Sequence, residues 1–361
     1  MSVVQSPETR SLPRIRLHVK RLAEAKAPAT RDSSIDTLRG LAIILVVLVH
    51  VVGTHSGTGL KLPDSHPLRI FGSSLEFFRM PLFTVLSGWV FANNPGLLDR
   101  LGEFYSTKLR RIVLPAATAM GGFLLFRAVA PSGSLDSTDA QPFWQIPFRP
   151  YRQFWFVQSL VLIFLVVAPM ERQGWLKRER IWLGLTLLAF GGCLLHQDAS
   201  TLFNLRGALF LLPFFLVGIG LKRFSGRLEG RWVSLGLAAV AGIWLTYQTL
   251  HLVRGESIGN VRTSIFPLIA GVAVIALLLK HRFSNSFLTL VGGYSFTIYL
   301  YHMIPVKGMD VVLGRLGLTQ FAVQIPLAVT IGVLVPIVLH QLAARWTLSK
   351  VVVLGLRPSR A

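Results

Sequence analysis

Long apolar runs recur along the chain, separated by short stretches rich in arginine and lysine. Ten runs approach the roughly 20 apolar residues that a helix needs to cross a hydrocarbon core. The first five are Leu38–Thr54, Ile70–Asn93, Ile112–Pro131, Phe154–Met170 and Ile181–His196. The second five are Gly207–Leu221, Trp232–Leu250, Arg262–Leu279, Phe287–Val306 and Phe321–Ala344. A transmembrane strand would alternate apolar and polar positions, whereas Ile43 to Val49 is apolar on every side. The pattern predicts an all-α polytopic membrane protein with about ten transmembrane helices. Three parts follow: a basic N-terminal tail over 1–34, a ten-helix membrane domain over 35–345 and a basic C-terminal tail over 346–361.

Charge adds an orientation. Lys and Arg number 37 against 16 Asp and Glu, a formal net charge of +21. If the N-terminus is cytoplasmic, 25 of the basic residues fall in cytoplasmic segments, 9 in outer segments and 3 (Arg39, Arg79 and Arg127) within spans. The positive-inside rule then predicts both termini in the cytoplasm. It accounts for the charge without nucleic acid. Charged residues are only 15% of the chain and hydrophobic ones 52%, against roughly 25% charged in soluble domains. That balance excludes a disordered tail protein, a coiled coil, a small secreted scaffold and a soluble nucleic-acid binder. The first 31 residues hold Pro7, Pro13 and Pro28 and no apolar core, so no cleaved signal peptide is expected. A lone cysteine, Cys193, makes no internal disulfide, zinc spacing is absent, and no metal is expected.

Ionisable groups inside spans cost roughly 2.5–3.5 kcal/mol each on insertion scales, so candidate chemistry lies there. Arg39 and His50 are eleven apart on the first span. At about 100° and 1.5 Å per residue they share one helical stripe, roughly 16 Å apart. Arg39 is either a snorkelling anchor paired with Asp36 or part of a site. His50 is either an interhelical hydrogen-bond group or a general base, since imidazole can take a hydroxyl's proton near neutral pH. Glu76 and Arg79 stand at i, i+3 on the second span, as a structural pair or as site groups. Pro81 frees a carbonyl there, and Ser87-Gly88 suits close helix approach. Before the third span, Lys108, Arg110 and Arg111 are positive-inside anchors or a phosphate site for an anionic cytoplasmic cofactor. Trp155, Gln158 and Ser159 open the fourth span, and His302 lies on the ninth. These are belt residues and hydrogen-bond groups, or they line an acceptor site. His340 reads as structural.

These residues carry a family resemblance. Ile35-Asp36-x-Leu38-Arg39-Gly40-x-Ala42 with His50 resembles the first-span signature of the integral-membrane acyltransferase-3 family. Met80-Pro81-Leu82-Phe83 with Leu86-Ser87-Gly88 resembles its second-span motif, and Lys108-x-x-Arg111 with Pro115 its third-span basic pair. Trp155-Phe156-Val157 and Ser295-x-x-Ile298-Tyr299-Leu300-x-His302 are similar to later motifs. The first two motifs resemble those of fucose 4-O-acetylase-like glycan O-acetyltransferases. Lys108 stands where Arg is more usual and Thr84 where many members have Phe. No appended hydrolase-like domain is expected after the tenth span.

The resemblance implies transfer of an acyl group, other than an amino-acyl group, to a hydroxyl. The donor would be acetyl-CoA or another acyl-CoA, and the acceptor a cell-surface or lipid-linked glycan. The location would be a bacterial inner membrane. Arg39 and His50 carry over as the essential pair, and the Lys108/Arg111 region as a donor contact. On this expectation the pantetheine arm spans the distance from Arg39 to His50, where an acceptor hydroxyl is deprotonated. The rival reading is a polytopic transporter of a small or lipid-linked substrate with Arg39 and His50 in its pathway.

Overall fold

The computed structural model describes residues 32–53, 57–93, 100–129, 142–146, 148–195, 201–256, 264–318 and 320–357, and among them every regular element is helical. The residues from Ser34 onward form one compact unit. The expected N-terminal tail, apart from its last three residues, lies outside the described residues, as does half of the segment 132–153 between the third and fourth runs.

The helices are α1 (Ser33–Val52), α2 (Pro67–Ser74), α3 (Glu76–Ala92), α4 (Leu101–Lys108), α5 (Leu114–Val129), α6 (Trp155–Arg172), α7 (Glu179–Leu194) and α8 (Leu205–Arg223). They continue with α9 (Arg231–Arg254), α10 (Ile265–Lys280), α11 (Ser286–Gly293), α12 (Ser295–Tyr301), α13 (Met303–Arg315), α14 (Phe321–Ala343) and α15 (Thr347–Val352). Seven of the expected spans meet helical segments long and apolar enough to cross a membrane. They are the first four, the sixth, the seventh and the tenth. Helices α7 and α10, at the fifth and eighth, have 16 residues each and reach only about 24 Å.

The ninth run departs from a single helix. It breaks into α11, α12 and α13 at Tyr294 and His302. Gly292-Gly293 precede the first break. Pro305 follows the second, in the first turn of α13, where its missing N–H leaves no bond unmade. The third run also carries an irregularity that apolar patterning does not reveal. Between α4 and α5 the backbone makes a π-helical segment, Leu109–Val113, which contains Arg110 and Arg111.

Close crossings hold the bundle. A Cβ on Gly40 would overlap the Leu288 carbonyl, and one on Gly292 the Asp36 carbonyl, so α1 and α11 meet backbone to backbone. Gly88 and Gly218 do the same for α3 and α8, against Phe215 and Val85. In lipid, where apolar burial does not drive helices together, such small-residue contacts are what lets them pack. Pro81 leaves the Phe77 carbonyl without its helical donor, and α10 comes closest there, where a Cβ on Gly271 would lie 2.7 Å from that oxygen. At the far ends of α6 and α8, Glu171, only 1% exposed, takes two 2.7 Å hydrogen bonds from Arg223. The C-terminal segment folds back: Thr118 donates to the Val352 carbonyl at 3.0 Å, and Gly355 sits against the Arg110 backbone.

Gly292→Ala should lower the melting temperature in detergent by the equivalent of at least 1–3 kcal/mol, about the cost of overpacking. Gly121→Ala is the control, because a Cβ there meets nothing within 4 Å. It should be neutral or stabilising by up to about 1 kcal/mol. Equal melting of the two variants would refute the backbone crossing.

Candidate active site

On α1 the partly accessible positions divide into two faces. Leu41, Ile44, Leu45 and Leu48 share one face, and Arg39 and His50 lie on the opposite one. Between the latter two, Ile43 is fully buried and Val46 nearly so. The inward stripe therefore has an accessible polar group at each end and a packed apolar plug between them. An open groove along α1 is not what joins the two levels.

A second partly accessible stripe runs along α3. Every residue of α3 is buried except Glu76, Phe83, Ser87 and Val90, which fall on one side of the helix at 3.6 residues per turn. Ser87 Oγ donates to the Phe83 carbonyl at 2.8 Å, so its polarity is satisfied within the helix. The Phe83 ring lies 6.3 Å from Phe156, Phe156 lies 5.5 Å from Tyr299, and Tyr299 lies 6.4 Å from His302.

The His50 and His302 rings are 5.1 Å apart, centre to centre. His302 is fully buried at the break between α12 and α13. Its Nδ1 lies 2.9 Å from both the Ile298 and Tyr299 carbonyls. Carbonyls only accept, so Nδ1 carries the hydrogen, and in a neutral imidazole the lone pair is then on Nε2. That Nε2 is buried with no hydrogen-bond partner. The three cations Arg79, Arg152 and Lys307 act electrostatically on His50. Arg79 and Lys307 are themselves buried. Arg152 and Lys307 were legible in sequence only as basic residues flanking a span.

The other expected site residues are distributed as follows. Arg39 pairs with Asp36 at 3.3 Å. Lys108 Nζ sits over the Phe164 ring at 4.0 Å and the Phe104 ring at 5.1 Å. Arg110 is half-buried beside Arg111 and Arg357, and Arg111 is exposed. Nearby on the same face of the bundle, Lys222 and Arg282 stack on Trp89. At the opposite end, Gln158 donates to the Ile146 and Arg149 carbonyls at 2.9 and 3.2 Å, holding the preceding loop. Asn204 donates to the Trp155 carbonyl and to Ser159 Oγ, which ties the start of α6 to α8. His340 meets Thr297 at 2.8 Å and joins α14 to α12. The structure thus brings His50 and His302 together and holds Lys108 against rings.

Nitrogen-15 NMR of histidine-labelled protein should show His302 protonated at Nδ1 and bare at Nε2. The opposite tautomer would contradict the two carbonyl contacts.

A family profile described as an acyltransferase domain matches residues 32–341. No curated protein matches the chain, and no solved structure does.

Proposed function

We propose, from the premise that the chain belongs to the acyltransferase-3 family and is a membrane acyltransferase, that it moves an acyl group from cytoplasmic acyl-CoA to a hydroxyl of a glycan. The acyl group is acetyl, the acceptor is a cell-surface or lipid-linked sugar, and the membrane is a bacterial inner membrane with both termini of the chain on its cytoplasmic side. The observation that carries this reading is the His50 ring lying 5.1 Å, centre to centre, from the ring of His302, whose buried Nε2 has no hydrogen-bond partner.

In this reading His50 is the general base. The acceptor hydroxyl approaches from the end of the bundle where α1 finishes. As its oxygen attacks the thioester carbonyl, the proton passes to the His50 ring. His302 lends its unused lone pair to the same small space, either to the His50 N–H or to a second substrate hydroxyl. This follows the logic by which a third group orients a catalytic base. The CoA thiolate is the leaving group and takes up a proton on departure. Most of the rate comes from holding thioester and hydroxyl together.

The donor enters at the Arg39 end, where Arg39, Arg110 and Arg111 offer positive charge to its phosphates. The packed Ile43 and Val46 argue that the pantetheine arm runs past Phe83, Ser87 and Val90 on α3 rather than along α1. The π-helical turn at Leu109–Val113 supports a donor role for its arginines, since such turns concentrate at functional sites.

His50→Ala should insert and fold normally yet lose at least about 10²-fold in acyl transfer, the lower end of general-base help. Wild-type turnover in that variant, measured with labelled acetyl-CoA in nanodiscs, would end the assignment. Arg39→Ala should raise the KM for acetyl-CoA more than it lowers kcat. Ser87→Trp tests the route of the arm. It should block transfer while the melting temperature holds, and unimpaired turnover would place the arm elsewhere.

A further inference from the structure

The C-terminal segment ends against the π-helical turn that carries Arg110 and Arg111. It lies past the end of the acyltransferase domain. Helix α15 closes in a glycine cap. The Leu356 N–H bonds to the Lys350 carbonyl at 3.1 Å and the Gly355 N–H to the Val351 carbonyl at 2.9 Å, with Gly355 at φ +65°. Glycine suits that left-handed position because it has no Cβ.

A second constraint falls on the same residue. A Cβ on Gly355 would overlap the Arg110 carbonyl oxygen and come within 2.7 Å of the Arg111 Cα. A helix cap asks only for the backbone angle, not for this neighbour. The π register accounts for the meeting. The Leu114 N–H bonds to the Leu109 carbonyl, five residues back. The next carbonyl in that register belongs to Arg110, and its donor would be Pro115, which has no N–H. The backbone of Gly355 packs on that carbonyl. Nearby, Thr118 donates to the Val352 carbonyl at 3.0 Å, and Leu354 is buried, so the segment is pinned on both sides of its last turn.

Arg357 follows Gly355 by two residues. Two residues span at most about 7 Å, so its backbone is held beside the arginine turn. Arg111 and Arg357 are exposed and Arg110 is half-buried. Arg110 Nη1 is buried with no hydrogen-bond partner. Among the described residues no carboxylate forms an ion pair with any of the three. Like charges repel, yet a tight backbone contact brings the third arginine to the other two. Positive-inside anchoring needs only charge near the headgroups. It needs neither a buried guanidinium nitrogen nor a glycine lock.

We propose that Arg357, carried there by the C-terminal segment, completes a phosphate subsite with Arg110 and Arg111 that holds the phosphates of the acyl-CoA donor. This deepens the acyl-transfer reading by naming a donor contact outside the family's domain, and rests on that reading for the identity of the ligand. Guanidinium groups match phosphate oxygens two at a time, and an exposed one can meet a donor arriving from the cytoplasm.

Binding is read without acyl chemistry, by calorimetry on the full chain in phosphatidylcholine nanodiscs. The probes are CoA and pantetheine, which lacks every phosphate. Arg357→Gln should weaken CoA at least about tenfold, the loss of one charge-assisted contact, and leave pantetheine unchanged. Arg357→Lys, which keeps the charge, should lose less. Gly355→Ala should weaken CoA as Arg357→Gln does, because it displaces the segment. If Gly355→Ala fails to fold, the variants of the exposed Arg357 decide. Wild-type CoA affinity in Arg357→Gln would overturn the subsite, as would an equal loss for pantetheine. A lipid headgroup is the other source of phosphate, so melting is compared in phosphatidylcholine and phosphatidylglycerol nanodiscs. Stabilisation by phosphatidylglycerol that Arg357→Gln removes, with CoA affinity untouched, would assign the arginines to lipid and overturn the donor contact. Acetyl transfer is measured separately. Its absence in wild type alongside CoA binding that depends on Arg357 would count against the acyl-transfer reading and leave the subsite standing.

Discussion

Hydrocarbon offers a polar side chain no partner, and in this molecule that constraint shows in interior hydrogen bonds that run from helix to helix. Thr37 finds Thr289 at 2.9 Å, Thr297 finds His340, Trp182 donates to the Leu216 carbonyl, and Glu171 takes both of its bonds from Arg223. Each of these joins two different helices. Polar groups that would be costly against lipid thus become the cross-links of the bundle. His302 obeys the rule with one nitrogen only. Its Nδ1 is held by its own helix, and the other nitrogen stays bare beside His50. A buried acceptor left open in this way calls for an explanation.

Irregular backbone gathers around the same places. The ninth apolar run is interrupted at His302 itself, the third carries a π-helical turn at Arg110 and Arg111, and the turn into α6 forces Arg152 into the left-handed region. In lipid such departures survive only where neighbouring protein covers the freed backbone groups. The two ends of the inward α1 face therefore differ in kind from the plug between them. Ile43 and Val46 belong to a regular, close-packed crossing, while Arg39 and His50 border the accessible space.

Much of this was legible along the chain. Apolar length alone marked ten runs, of which seven meet helical segments long and apolar enough to cross a membrane, and the eleven-residue spacing of Arg39 and His50 put them on one face of α1, as the structure has them. Three features were not legible. Helix α7 and helix α10 stop short because their apolar runs are bounded by charged or chain-turning residues, and a sliding count smooths over that. The ninth run reads as continuous because Tyr294 and His302 are not breakers. It is Gly292-Gly293 and Pro305 beside them that end the helices. The hydrogen bonds of Gln158 Nε2 to the Ile146 and Arg149 carbonyls leave no trace in the residue pattern.

The sequence by itself determined an all-helical chain that lives in lipid, its family, and the stripe that carries a guanidinium and an imidazole. These follow from local periodicity and from the solvent the chain must satisfy, and neither requires knowledge of which helix is whose neighbour. Only the tertiary structure decided that His302 lies beside His50 and that the straight path along α1 is filled. Those facts depend on helices far apart in sequence meeting at particular glycines. Such a crossing is set jointly by both surfaces, so neither segment encodes it alone.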